Sequence, residues 1–490
     1  MTTMHNRCPD AYIAVHGGAG VHGQAVDKDV RRVLRQACSR AMGVVSNANG
    51  DHDVEGELFP SLAMVESATT VLEDDPALNA GYGSSLTLDG TVECDAAIMA
   101  GKGQRFGSVG SVPDVKNPVT LARAILEYSS KADKLGRVPP LTLVSQGASS
   151  FAKRVSQSSS TTSPKPELVS PPSLISPNAK AQYDKWKARL EDPAYHPPPL
   201  SLSTYTPRSP LLSPRSPHFG TFPVSPSVSE SSYFGSPPPD TPLSPGSSFA
   251  QHPNGGTPTS EAPSSVESDT STLHDIQDTV GAVAWHPRDG AAASVSSGGL
   301  LLKLPGRMGE AAVYGAGCWA QHEADNIANP SVACSVSGTG EYIMRASLAR
   351  VVGERVLEGI KTSSTTPKAG VFPDLNVEDG DDEDEDIDDD GSTDPHHILQ
   401  TILEKDFWEE FQKEGEPNPS AGVLLLTREI DEEGKASVRL WCAFTTPTMA
   451  IAYASPNHPK PKAVVLRHPD VCNSRHLSDK PRIFITAIPL

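Results

Sequence analysis

Two hydroxyl residues and one peptide bond carry the chemistry that this chain could perform. Asp278-Thr279-Val280-Gly281-Ala282-Val283-Ala284-Trp285 reads as a strand, His286 to Gly290 as a turn, and Ala291 to Ser297 as a returning strand that ends in Gly298-Gly299. With the loop at Pro287 to Gly290, residue 279 faces residue 298. Thr279 and Ser297 then fall within about one position of each other across the hairpin. A threonine hydroxyl is a weak nucleophile until a base takes its proton. A cut between Asp278 and Thr279 would create an α-amino group, with pKa ~8, on the nucleophile's own residue. One residue would then supply both nucleophile and base. Taken alone, the same residues also allow a strand-edge Thr and a hairpin Ser with no chemistry.

The elements that must position this hairpin are unevenly spread along 490 residues. Residues 1–150 read as the N-terminal part of a catalytic domain. Tyr12 to Val15 form a buried-strand pattern running into the turn His16-Gly17-Gly18-Ala19-Gly20. Val30, Val33, Leu34, Ala37 and Ala41 recur at helical spacing, and Leu62 to Leu72 form a second helical stretch. Asp89-Gly90 before the strand-like Thr91 to Met99 is a hairpin signal, and Leu121 to Tyr128 reads as a helix entered by Asn117-Pro118. Residues 151–277 hold 23 of the 45 prolines amid Ser and Thr, with only a short helix suggested around Ala179 to Leu190. Such composition predicts a disordered insertion. Nine Ser-Pro pairs there, among them Ser163, Ser209, Ser213, Ser216, Ser225, Ser236 and Ser244, fit either plain linker composition or proline-directed phosphorylation.

Order is expected again over 278–361, a core that begins at the candidate nucleophile. Residues 362–396 form a second, acidic insertion, and residues 397–490 supply a helix (Ile398 to Gln412) and strands at Gly422 to Thr427, Ser437 to Thr445 and Met449 to Ala454. Helices cluster between groups of strands, which favours a layered α+β domain over a doubly wound sheet.

Charge and cysteine usage narrow the function class. The formal charge is −19, but Asp374 to Asp394 hold 13 acidic and no basic residues, and without those 13 the charge is −6. A global nucleic-acid role is disfavoured. Seven scattered cysteines without CxxC or metal-ligand spacing suit reduced thiols in a cytoplasmic or nuclear protein. The N-terminus lacks the apolar core of a signal peptide, and no apolar run reaches the ~20 residues needed to span a bilayer. No membrane role is expected. The glycine-rich turn at 16–20 lacks the Gly-Lys-Ser/Thr of a phosphate loop.

The company that the hairpin keeps is specific. His16-Gly17-Gly18-Ala19-Gly20, Asn79-Ala80-Gly81-Tyr82-Gly83-Ser84, Glu93-Cys94-Asp95-Ala96-Ala97-Ile98-Met99 and Val115-Lys116-Asn117-Pro118-Val119 precede it. Val295-Ser296-Ser297-Gly298-Gly299, Leu304-Pro305-Gly306-Arg307-Met308-Gly309, Tyr314 to Ala320 and Ser337-Gly338-Thr339-Gly340-Glu341 close and follow it. In this order and spacing the chain resembles the asparaginase/taspase family of N-terminal nucleophile hydrolases. Within that family it most resembles the threonine aspartase (taspase) branch, through Asp278, Ser297, Gly317-Cys318-Trp319-Ala320, Thr445-Thr446 and Met449.

The resemblance implies a four-layer αββα sandwich and a precursor that cuts itself at Asp278–Thr279 into associated α (1–278) and β (279–490) subunits, which often pair as dimers in the family. Thr279 would be the nucleophile and Ser297 the hydroxyl beside it. Asn79 would hold the freed amino group, and Gly338 with Ser337 would stabilise the oxyanion. Arg307 would bind the substrate carboxylate, and no cofactor would be required. A taspase-like enzyme would be an endopeptidase acting after Asp in a polypeptide. Small-amide members place an Asp three residues beyond the binding Arg, to meet the substrate's α-ammonium; this chain has Glu310 there, so asparagine or an isoaspartyl peptide stays open as the substrate. The reading from another class is a non-processing scaffold whose insertion binds partners.

Overall fold

In the computed structural model, residues 10–47, 59–158, 165–195, 279–365, 393–413, 419–431, 433–468 and 482–490 are described. Two β-sheets are built from them. The first has the spatial order β12 (His458–Arg467), β11 (Thr448–Ser455), β1 (Tyr12–Gly20), β5 (Val280–His286), β6 (Gly290–Ser297), β2 (Cys94–Ala100), β3 (Arg105–Val112) and β4 (Thr142–Val144). Every pairing in it is antiparallel except β3 with β4. The second runs β13 (Phe484–Pro489), β10 (Ala436–Phe444), β9 (Ala421–Ile430), β8 (Ser331–Gly338) and β7 (Cys318–His322).

Helices cover both outer faces. α1 (Asp27–Asn47), α2 (Pro60–Glu73) and α3 (Pro118–Ser129) lie on the first sheet; after the short α6 (Gly340–Ala346), α7 (Leu348–Thr365) and the helical stretch opened by α8 (Pro395–Thr401) lie over the second. The layers are therefore helix, sheet, sheet, helix, as expected. Burial explains the strand sequences. β5 reads Val-Gly-Ala-Val-Ala-Trp-His and β6 Gly-Ala-Ala-Ala-Ser-Val-Ser-Ser, and nearly every residue of both is buried. Strands covered on two faces lose the polar/apolar alternation of a half-exposed sheet, and small side chains let the second sheet come close. Ile13, Val15, Leu34, Leu62, Val65, Ile98 and Val280 fill the helix-facing side. Val283, Val295, Trp319, Val336 and Leu424 fill the space between the sheets and beyond. Each such buried aliphatic side chain contributes ~1.5–3 kcal/mol relative to an exposed one.

The β5–β6 hairpin has the register Val280↔Ser296 through His286↔Gly290. It is one residue tighter than the sequence-based placement, because the turn closes on His286 and Gly290 themselves. Asp289 fixes that turn: its carboxylate accepts the Ser61 N–H at 3.0 Å and the Ser61 hydroxyl at 2.7 Å, tying the hairpin tip to the first turn of α2.

The expected insertion boundary at residue 151 is corrected. α4 (Ser145–Gln157) runs through it, burying Ala148, Phe151 and Ala152. Past it, Leu168 bridges Val115, and α5 (Pro177–Glu191) follows, starting where the Ser176 hydroxyl accepts the Ala179 N–H. Leu174 and Tyr183 pack on Leu86, Val92 and Cys94, so a few apolar anchors order a stretch whose composition is otherwise that of a linker. At the second insertion α7 extends to Thr365 and α8 begins at Pro395, inside the 362–396 limits. Residues 159–164, 196–278 and 366–392, which hold the seven named Ser-Pro serines and most of the acidic run, lie outside the described residues.

Candidate active site

Thr279 stands at the start of β5, in the gap between the two sheets, and is 4% exposed. The hairpin register carries it to Ser297 at the end of β6, and the two hydroxyl oxygens are 3.2 Å apart. Ser297 Oγ also accepts the Gly299 N–H at 3.0 Å, which holds its lone pairs toward the turn. From the other sheet, Ser337 near the end of β8 places its Oγ 3.3 Å from the Thr279 nitrogen, which donates to it, and 3.1 Å from the Ala19 N–H. Thr279 thus has one hydroxyl at its side chain and another at its nitrogen. Asp278 lies outside the described residues.

The shortest contact of the Thr279 hydroxyl is to an acid. Thr279 Oγ1 donates to Glu310 Oε1 at 2.6 Å, and Glu310 is itself only 4% exposed. Burial raises the Glu310 pKa, opposed by the Thr279 hydrogen bond and the Arg307 charge. Gly340 leaves room for this placement, since a Cβ there would lie 2.5 Å from Glu310 Oε2. Gly338 has φ +145°, a conformation that L side chains rarely adopt, and a Cβ on it would meet the Ser420 carbonyl at 2.1 Å. Asn79, Gly299, Leu300 and Arg307 line the same cleft.

Arg307 is held at two levels. Its side chain donates from Nε to Glu341 Oε1 at 2.8 Å and from Nη2 to Glu341 Oε2 at 2.6 Å. Its loop is held from β2 and the residues before it. Asp95 accepts the Gly309 N–H at 2.7 Å and the Ser111 N–H at 2.8 Å, while Glu93 accepts the Gly306 N–H at 2.7 Å. Asp95 is fully buried, and that burial raises its pKa against the opposing pull of Lys303.

Thr279, Ser297, Ser337, Gly338, Arg307 and Glu310 are thus brought together. Asn79 is near but does not touch the Thr279 nitrogen. Its Oδ1 accepts the Ser85 N–H at 2.8 Å and its Nδ2 donates to the Gly299 carbonyl at 2.9 Å, so it shapes the turn after Ser297. In the uncut chain the group on that nitrogen is the Ser337 hydroxyl. His16, in the glycine-rich turn, is buried with Nε2 2.8 Å from Ser335 Oγ, and burial lowers its pKa to about 3; it is a neutral packing residue. Among the described residues no three His, Cys, Asp or Glu side chains are grouped to hold a metal ion. The supporting roles of Glu341 and Asp95 escaped the sequence reading, although both residues sit inside the runs that carried the resemblance.

Comparisons with known proteins identify the family to which this chain belongs. A family model described as Asparaginase matches residues 10–190 and 248–370. The chain belongs to the asparaginase family of N-terminal nucleophile hydrolases. An isoaspartyl peptidase of Escherichia coli (strain K12) is 27% identical over 344 residues, covering 69% of this chain and 74% of that protein. The isoaspartyl peptidase/L-asparaginase of Homo sapiens is 26% identical over 350 residues, 71% and 77% of the two chains. Its counterpart in Bos taurus is 36% identical over a shorter stretch of 140 residues, 29% and 40% of the two chains. Members of this family are made as precursors that process themselves into α and β subunits and assemble into oligomers.

Proposed function

We propose that this chain is a self-processing threonine amidohydrolase, cut at Asp278–Thr279, that acts on small β-aspartyl amides such as asparagine and isoaspartyl peptides. The carrying observation is that a guanidinium and a buried acid, Arg307 and Glu310, flank one nucleophilic hydroxyl. A free amino acid presents a carboxylate and an ammonium on one carbon, and this pair of charges matches them. The relatives' names point the same way. After the cut, the Thr279 amine takes the Oγ1 proton as the oxygen attacks the substrate amide. Backbone and side-chain donors around Gly338 and Ser337 stabilise the oxyanion, the amine leaves protonated, and water hydrolyses the ester.

A second reading, an endopeptidase acting after Asp in polypeptides, is favoured by the chain's own Gln277-Asp278 before Thr279 and by Ser297. The two substrates are close relatives. Both carry a carboxylate two carbons from the carbonyl that is attacked, which Arg307 can receive, and they differ in where the nitrogen sits. The α and β products stay associated, and αβ units pair.

The test is to incubate the processed protein with asparagine, with a β-aspartyl dipeptide and with a peptide containing an internal Asp. Ammonia or free aspartate from the first two is expected. Cleavage confined to the Asp-containing peptide would replace the first reading with the second. Mass spectrometry of the same preparation should find a fragment that begins at Thr279.

A further inference from the structure

Before the chain is cut, the Thr279 nitrogen is an amide and cannot accept a proton, so the amine that serves turnover does not yet exist. The first cut needs another base. Arg307 only donates, and the Ser297 and Ser337 hydroxyls are far too weakly basic. Among the described residues the remaining group is the Glu310 carboxylate, which already accepts the Oγ1 proton's hydrogen bond at 2.6 Å. Among the described residues no other carboxylate or imidazole is hydrogen-bonded to that oxygen.

We propose that Glu310 is the general base of self-cleavage. Thr279 Oγ1 attacks the Asp278 carbonyl carbon, to which its own nitrogen is bonded, and its proton passes to Glu310 Oε1. The tetrahedral centre collapses with rupture of the C–N bond, and the nitrogen takes the proton from Glu310, leaving an Asp278–Thr279 ester and a free α-amine. Water then adds to the ester, giving the Asp278 carboxyl group and restoring the Thr279 hydroxyl. The chain balances atom for atom with water alone consumed. This rests on the reading that the Asp278–Thr279 bond is the one cut.

Reach and surroundings support the assignment. Glu reaches one methylene further than an Asp would, and its Oε1 lies 2.6 Å from Thr279 Oγ1. The charged groups facing it are Arg307 and Asp95. Its burial makes it a stronger base than an exposed carboxylate.

The test follows the full chain made by cell-free translation, pulse-labelled and chased between pH 4 and pH 9, with loss of the 51.8 kDa precursor read on a denaturing gel. Glu310→Gln should slow the cut by ~10²–10⁴-fold, the usual contribution of a positioned base, and Glu310→Asp should fall between. Where Glu310→Gln fails to fold, the wild-type profile decides: the rate should drop about tenfold per pH unit on the acid side, from a break above the ordinary Glu value of 4.5. Cutting of Glu310→Gln at the wild-type rate, or a wild-type rate flat from pH 7 to pH 4, overturns the assignment. A wild-type chain that stays whole throughout removes the processing itself, an outcome distinct from losing only its base.

Discussion

Arg307 and Glu341 meet edge to edge, with the Nε–Nη2 side of the guanidinium taken by both carboxylate oxygens at 2.8 and 2.6 Å. That leaves Nη1 directed toward the cleft, where a Cβ on Gly299 would come within 3.1 Å of it. Glu341 therefore sets the angle at which Arg307 would offer its free edge to the carboxylate of the proposed substrate. Glu341 is 47% exposed, so the pair itself adds only ~0.5–1 kcal/mol. Glu341→Gln should raise KM by about 3- to 10-fold and change kcat little, because binding of ground and transition states is lost together. Steady-state kinetics on the processed protein checks this. A lowered KM would instead make Glu341 a competitor for the substrate's place.

In the proposed reaction Thr279 is the nucleophile, and its hydroxyl has no substitute within the cleft that also carries the new amine. Thr279→Ala should leave the chain as one band near 51.8 kDa and without amidase activity, while thermal unfolding stays close to wild type. Thr279→Ser should still be cut, more slowly. Gel analysis after prolonged incubation decides, and appearance of the two fragments from Thr279→Ala would exclude this residue.

Asp95 links strand and loop through two backbone N–H groups, Ser111 and Gly309, from full burial. In Asp95→Ala both donors lose their partner, at ~1–3 kcal/mol each, and Lys303 loses a neighbouring negative charge. A drop in stability of roughly 2–5 kcal/mol is expected, with a loss of activity, since Arg307 and Glu310 sit on either side of Gly309. Chemical denaturation measures the first. Unchanged stability would show that the loop is held elsewhere.

The sequence made some of this arrangement legible and hid the rest for identifiable reasons. Hairpin geometry placed Thr279 beside Ser297 to within one residue, because a short turn between two apolar runs leaves few registers. Arg307 and Glu310 are legible only through the family resemblance, which marks both positions. Glu341 was not seen as a support because its partner lies 34 positions away, and only the fold joins them. The meeting of the Ser337 hydroxyl with the Thr279 nitrogen is not legible, since β8 belongs to the facing sheet and its register cannot be read locally. β12 was missed because Pro459 and Pro461 interrupt the pattern; the strand tolerates them at the edge of its sheet, where N–H groups need no partner. α4 and α5 were missed or shortened because a few buried anchors are diluted by Ser, Pro and Lys.

Stability should fall as pH rises through neutrality, the reverse of what a salt-bridged acid would give. Glu73, at the end of α2, is wholly buried; its Oε1 accepts the Ser296 hydroxyl at 2.7 Å and the Val119 N–H at 3.0 Å, while Oε2 has no partner. Burial pushes its pKa up to about 8, and the same cause takes Glu66 on the same helix to about 7. Both would titrate near 4.5 in the unfolded chain. Between about pH 4.5 and pH 8 the folded state holds protons that the unfolded state has released. The stabilisation is therefore complete below about pH 4.5 and is lost as pH climbs through these raised values. Other carboxylates change the acid end, but from pH 6 to pH 9 the unfolding temperature should decline. Glu73→Gln keeps the acceptor for Ser296 and Val119 and has no proton to lose, so its decline should be shallower and its stability at pH 9 at least that of wild type. Calorimetric scans at fixed ionic strength test it. A wild-type unfolding temperature that rises over this range, or a Glu73→Gln curve parallel to it, would mean that Glu73 is ionised in the fold.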